Sequence, residues 1–168
     1  MEAFYYPILF LFGLAVGSFL NVLILRYAPE RNVFSLENLR GRSHCPHCGK
    51  ILRWFELVPL FSFIIQGGRC RSCGERLTIQ YPIVELLSGV IFVALPLYFS
   101  KFYGFVGLFP EGLGFRSYYA YLIVWVLILL TWALISAIDL RHYIVPNELN
   151  VFLAALGVIL VAVKSLPS

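Results

Sequence analysis

The apolar and polar positions of this chain fall into blocks. Uncharged runs long enough to cross a bilayer, roughly 17–25 residues, cover residues 3–25 and 117–138. A further run, 81–99, is interrupted only by Glu85. A fourth, 149–163, has 15 residues and reads either as a short spanning helix or as the first part of a longer one. These blocks predict transmembrane helices at 1–25, 81–99, 117–138 and 149–168. Between them lie a polar cysteine-bearing segment at 26–80, a connection at 100–116 and a loop at 139–148. The predicted fold class is an all-α polytopic membrane protein, a bundle of four spans with one small cysteine module.

Composition agrees. The 168 residues are 60% hydrophobic and 13% charged, with a mean hydropathy of +0.84, whereas soluble domains carry about 25% charged residues. The first run lacks a basic segment ahead of it, and its apolar stretch is too long for a cleaved signal peptide, so it reads as a permanent anchor. Nine of the thirteen basic residues lie in 26–80, and Arg141 follows the third run. Lys101, Arg116 and Lys164 fall on the other side. This bias predicts a cytoplasmic 26–80 segment and an external N-terminus. The net charge of +4 then reflects topology, and no nucleic-acid partner is expected.

All four cysteines lie in the 26–80 segment, as Cys45-Pro46-His47-Cys48 and Cys70-Arg71-Ser72-Cys73, with 21 residues between the pairs. Two such knuckles can close one tetrahedral thiolate site around zinc. Gly49 and Gly74, each following a second cysteine, allow the positive φ that turns backbone amides toward sulfur. Disulfides are disfavoured in a cytoplasmic segment. Four thiolates leave no open coordination position, so the expected metal is structural, with His44 and His47 as solvated loop residues. A segment this small lacks the core to fold alone, and the metal would supply its folding free energy. The apolar stretch 51–65 is too short to span and is expected to pack the module on the bilayer surface or on the helices.

Four polar positions stand out in or beside the spans. Glu85 sits about one turn inside the second span. A charge at the bilayer centre costs about 2.5–3.5 kcal/mol on insertion scales, so Glu85 is expected to be paired with a base or to be functional. Asn21 and Arg26 close the first span, below a Gly13-x-x-x-Gly17 pair that permits close helix approach. Asp139 is the only aspartate among nine acidic residues. It ends the third span, where a carboxylate meets the unfavourable end of the helix dipole.

Together these residues resemble the bacterial type IV prepilin peptidases, membrane aspartic proteases that process type IV pilins and type II secretion pseudopilins. The resemblance rests on Gly13-x-x-x-Gly17-Ser18-Phe19-Leu20-Asn21-Val22 with Arg26, on Arg42-Ser43-His44-Cys45-Pro46-x-Cys48 and on Gly68-Arg69-Cys70-Arg71-x-Cys73. It extends through Tyr81-Pro82-x-Val84-Glu85-Leu86-Leu87-x-Gly89, Ala137-x-Asp139 and Pro146-Asn147. It implies cleavage of a short basic leader after glycine at the cytoplasmic face of the inner membrane. In many members it also implies methylation of the new N-terminus from S-adenosylmethionine. Asp139 matches the first of two catalytic aspartates. The Gly-x-Gly-Asp motif that carries the second is absent from these 168 residues, so the chain corresponds to an N-terminal portion. The expectation is that it does not cleave alone: a C-terminal half carrying the second aspartate would complete it, and without one it would act as a zinc-stabilised membrane scaffold.

Overall fold

The computed structural model describes residues 2–30, 32–102 and 115–165. The predicted external connection at 100–116 therefore falls largely outside the described residues. Six helices appear in chain order: α1 Glu2–Arg26, α2 Leu36–Leu39, α3 Phe61–Ile65, α4 Gln80–Phe102, α5 Phe115–His142 and α6 Asn147–Ser165. There is no β-strand among the described residues, only two isolated bridges, His44 to Ile51 and Arg69 to Arg76. Three helices, α1, α4 and α5, are long and apolar enough to cross a membrane, and α6 is a shorter apolar helix. The chain is an all-helical membrane protein. The all-round apolar character of the long helices suits this: their outward residues, such as Phe4, Ile8, Ile123 and Trp132, stay exposed, as lipid-facing positions would.

The core lies where α1, α4 and α5 meet. Leu20, Leu23, Ile24, Val84, Ile91, Leu130, Leu134 and Ile138 interlock there, joined by Leu149 from α6. On α1, Gly13 and Gly17 face α4 directly. A Cβ placed on Gly13 would sit 2.8 Å from the Gly89 Cα, and one on Gly17 would sit 2.6 Å from the Glu85 Cα. The small residues bring the two backbones into contact, and this crossing sets where Glu85 stands relative to α1.

Helix α5 runs through Asp139 to His142, so Asp139 belongs to a helix and not to the loop expected at 139–148. Hydrophobic runs end at the first charge, but a charge does not stop a helix. Arg141 and His142 in the last turn complement the helix dipole. The chain leaves the helix at Tyr143, whose φ of 55° is left-handed, with its N–H donating to the Asp139 carbonyl at 2.7 Å. A glycine would more commonly occupy this position. The other spans likewise extend by one to three residues past the apolar runs that predicted them.

Candidate active site and metal centre

The two cysteine knuckles have the same backbone. In each, the N–H of the first cysteine donates to a carbonyl five residues on (Cys45 to Lys50, Cys70 to Glu75), at 2.9 Å. The glycine N–H donates back to the first cysteine's carbonyl (Gly49 to Cys45, Gly74 to Cys70), again at 2.9 Å. Gly49 and Gly74 take φ of 69° and 71°, which is why glycine stands at both positions. The segment between the knuckles folds back through a single 3₁₀ turn at Trp54–Glu56 and through α3, and the Arg71 guanidinium lies over the Phe55 ring.

This repeat brings all four Sγ atoms within 4.8 Å of one another. The Cys45 and Cys73 sulfurs are 3.9 Å apart. A tetrahedron with metal–sulfur bonds of about 2.3 Å has edges of about 3.8 Å. The cysteines are free thiols, Cys45 and Cys70 buried and Cys48 and Cys73 exposed. Hydrogen bonds from the Cys73 and Ser72 backbone bring Cys70 down to about 6. At Cys73 the Glu75 backbone amide favours the thiolate, but desolvation and the surrounding thiols prevail and push it up to about 11. Thiols this crowded resist shedding all their protons unless a cation sits among them. Spacing and donor set both fit a metal ion.

Three polar side chains bond across elements where the module meets the helices: Arg26 and Glu85 tie the module to them, and Asn21 ties α1 to α4. Arg26 donates to the carbonyls of Asn38 (3.1 Å), Arg40 (2.8 Å) and Gly41 (3.1 Å). Asn21 donates from Nδ2 to the Tyr81 carbonyl at 3.0 Å, joining α1 to the first turn of α4. Glu85 accepts from the Leu60 N–H at 2.8 Å. Leu60 has a φ of 59°, so the carboxylate holds a strained turn at the start of α3. Of the two expectations for Glu85, pairing with a base or a functional role, the first is not seen: Glu85 makes no ion pair among the described residues. Arg26, which closes the first span, has a specific structural task in these three bonds.

Between module and helices lies a cavity of about 240 Å³, whose lining includes Asn21, Glu85, Tyr81, Cys45, Cys70 and Arg141. Asp139 is exposed and does not line it. Arg141, two residues further on, does, and also reaches the Gln80 side chain at 3.5 Å. Sequence reasoning missed Glu56. This buried residue accepts from the Arg53 N–H at 2.8 Å and pairs with Lys50 at 3.6 Å. The Arg53 hydrogen bond and the Lys50 and Arg71 charges hold its carboxyl below the usual range, against desolvation. The signal was present: Glu56 is the one acid in the apolar stretch 51–65, as Glu85 is in its span.

A chain of apolar spanning helices, with a four-cysteine module tied to their ends by Arg26 and Glu85, defines a class of membrane protein. Residues 11–99 match the bacterial peptidase A24 N-terminal domain, and the chain belongs to that family. Over 143 residues it is 38% identical to a protein of Myxococcus xanthus named prepilin leader peptidase/N-methyltransferase, covering 85% of this chain and 36% of that one. Proteins of the same name from Legionella pneumophila (32% over 174 residues; 93% of this chain, 55% of the relative) and Bacillus subtilis (31% over 145 residues; 86% and 50%) are also similar. The chain thus spans between about a third and about half of the length of these curated relatives. No solved structure matches it.

Proposed function

We propose that the chain is the N-terminal portion of a prepilin leader peptidase, an aspartic endopeptidase cutting the basic leader of type IV prepilins or type II secretion pseudopilins after glycine. The observation that carries this reading is Asp139, the sole aspartate, exposed in the last turn of α5. Its carboxylate is free to meet both a substrate and a second carboxylate. Two carboxylates that share a proton divide the work: one takes a proton from the attacking water, while the other, protonated, polarises the scissile carbonyl. These 168 residues hold only one aspartate, so the second is supplied by the part of the protein corresponding to the remainder of the relatives. On this reading the cysteine module is cytoplasmic, the N-terminus external, and the membrane the bacterial inner membrane. Zinc is the metal we assign to Cys45, Cys48, Cys70 and Cys73, in a structural role, since four thiolates fill a tetrahedral shell. Methylation of the new N-terminus from S-adenosylmethionine is proposed from the relatives' names.

The test is processing of a prepilin in membranes. The chain joined to a relative's C-terminal half should release the leader, and Asp139→Asn in that fusion should lower the rate by about 100-fold or more while leaving helix content unchanged. The 168 residues alone should not cleave. Cleavage by these residues alone, or full activity of the Asp139→Asn fusion, would overturn the reading.

A further inference from the structure

We propose that the cavity between the cysteine module and the α1–α4 pair receives a lysine side chain of a bound peptide, with the Glu85 carboxylate and the Asn21 amide oxygen as its acceptors. This rests on the reading of Asp139 as a peptidase carboxylate only for its peptide, since the cavity's preference for an ammonium follows from its own walls.

Asn21 is 3% exposed. Its Nδ2 is committed to the Tyr81 carbonyl, which fixes the orientation of the amide, and Oδ1 has no partner. A buried acceptor left unpaired costs about 1–3 kcal/mol. Glu85 is 7% exposed and accepts from the Leu60 N–H, but it has no cation among the described residues. A desolvated carboxylate without a counter-charge is costlier still. Both residues line the same cavity, so its wall is built in part from a carboxyl group without a cation and an amide whose oxygen has no partner. The nearby cations do not fill this role. Arg26 is occupied by three backbone carbonyls, and Arg141 is exposed and directed to Gln80.

The rest of the cavity selects the kind of cation. Val22, Leu25, Leu57, Phe63 and Leu77 contribute apolar wall. A lysine matches this division, with a methylene stem for the apolar wall and three N–H donors at its tip. At about 240 Å³ the cavity has room for one lysine side chain. Arg141 also places it beside the α5 end that carries Asp139, so a peptide crossing that end can drop a side chain into it.

The experiment uses the 168-residue chain in lipid nanodiscs, loaded with zinc, and a fluorescent decapeptide with one lysine among neutral residues. A second peptide replaces that lysine with norleucine. The lysine peptide should bind more tightly than the norleucine peptide. Glu85→Gln, which keeps an oxygen for the Leu60 N–H, should raise the lysine peptide's Kd by about tenfold or more, the size of one charge-assisted hydrogen bond. It should leave norleucine binding and zinc content unchanged and should not lower the melting midpoint. Arg141→Gln, which removes the cation at the rim, should act in the opposite direction and tighten lysine binding by about twofold. The proposal is overturned if wild type binds neither peptide, if the two peptides bind alike, or if Glu85→Gln binds like wild type. It is also overturned if S-adenosylmethionine, but not the peptide, binds with Glu85-dependent affinity. Glu85-dependent lysine binding without prepilin processing by the fusion would reject the peptidase reading and keep the site. Processing with binding indifferent to Glu85 would do the reverse.

Discussion

Replacing Gly17 with alanine tests the helix crossing on which the rest of the molecule depends. In an unconstrained helix this change is favourable by about 1 kcal/mol, because glycine is the poorer helix former. At Gly17 the added carbon would lie 2.6 Å from the Glu85 Cα, 2.8 Å from the Val84 carbonyl oxygen and 2.9 Å from the Ser88 Oγ. Carbon atoms pack at about 3.5–4.0 Å, and two of these neighbours are backbone, which cannot rotate away. The helices must part by roughly 1 Å, at an overpacking cost of about 1–3 kcal/mol. Backbone contact puts the cost in the upper half of that range, leaving a net loss of about 1–2 kcal/mol after the propensity gain. The control is Gly157 in α6, where an added Cβ meets nothing within 4 Å. There alanine should be neutral or stabilising by up to about 1 kcal/mol. At this chain length 1 kcal/mol moves the melting midpoint by about 2–4 °C, so the two variants, about 1–3 kcal/mol apart, should separate by roughly 2–12 °C in detergent, followed by loss of helical circular dichroism. If Gly17→Ala melts at or above wild type, or if both variants move together, the tight α1–α4 crossing is wrong.

The remaining predictions concern the module. Cys48→Ser should lower zinc from one equivalent per chain to well below it by elemental analysis, and protease sensitivity should rise in 42–76 before the spans are affected. Arg26→Lys keeps the charge but loses the fork that reaches three carbonyls. It should speed amide hydrogen exchange around 38–41 and cost about 2 kcal/mol locally, the scale of a hydrogen bond from a charged donor; exchange at wild-type rates would contradict the assignment. Glu56 titrates below its usual range when folded, through its Arg53 hydrogen bond first and the Lys50 and Arg71 charges after it. Its contribution is therefore fully present above the unfolded carboxyl pKa and is lost as pH falls through the lower folded value. Wild type should exceed Glu56→Gln in stability by about 1 kcal/mol at pH 7, the worth of a helix-end cap, and the gap should close on acidification below about pH 4. A gap that widened there would reverse the sign and refute the argument.

The legible features were those that need few partners. Span positions follow from run length alone, and the four-cysteine centre follows from spacing, since Cys-x-x-Cys-Gly builds its own turn wherever it stands. Asp139 is conspicuous for being the only one of its kind. Helix ends were less legible: α5 continues past Asp139 because its stop is a backbone conformation at Tyr143, which no composition signals. The tasks of Asn21, Arg26 and Glu85 were illegible for another reason. Each bonds to a backbone group between 12 and 60 residues away, and backbone acceptors leave no mark in sequence. Gly13 and Gly17 were visible as a pair, but not the helix they face, because small residues permit an approach without naming what approaches.

Those long-range bonds also divide the molecule's labour. Arg26, Asn21 and Glu85 all sit near the ends of α1 and α4 that face the module, and all three fix the module or the α4 entry beside it. Asp139, by contrast, is carried by α5, which packs on the core through Leu134 and Ile138. A defect in the metal centre or at the α1–α4 crossing therefore disturbs the cavity first and leaves the α5 end in place. On the proposed function such defects act on how a peptide is held, while substitution of Asp139 acts on the bond that is cut. In the complete enzyme, damage to the module should raise KM more than it lowers kcat, and loss of Asp139 should lower kcat with little change in KM. A module variant that retained KM and lost kcat would place the cysteine centre within the chemistry and would overturn its structural assignment.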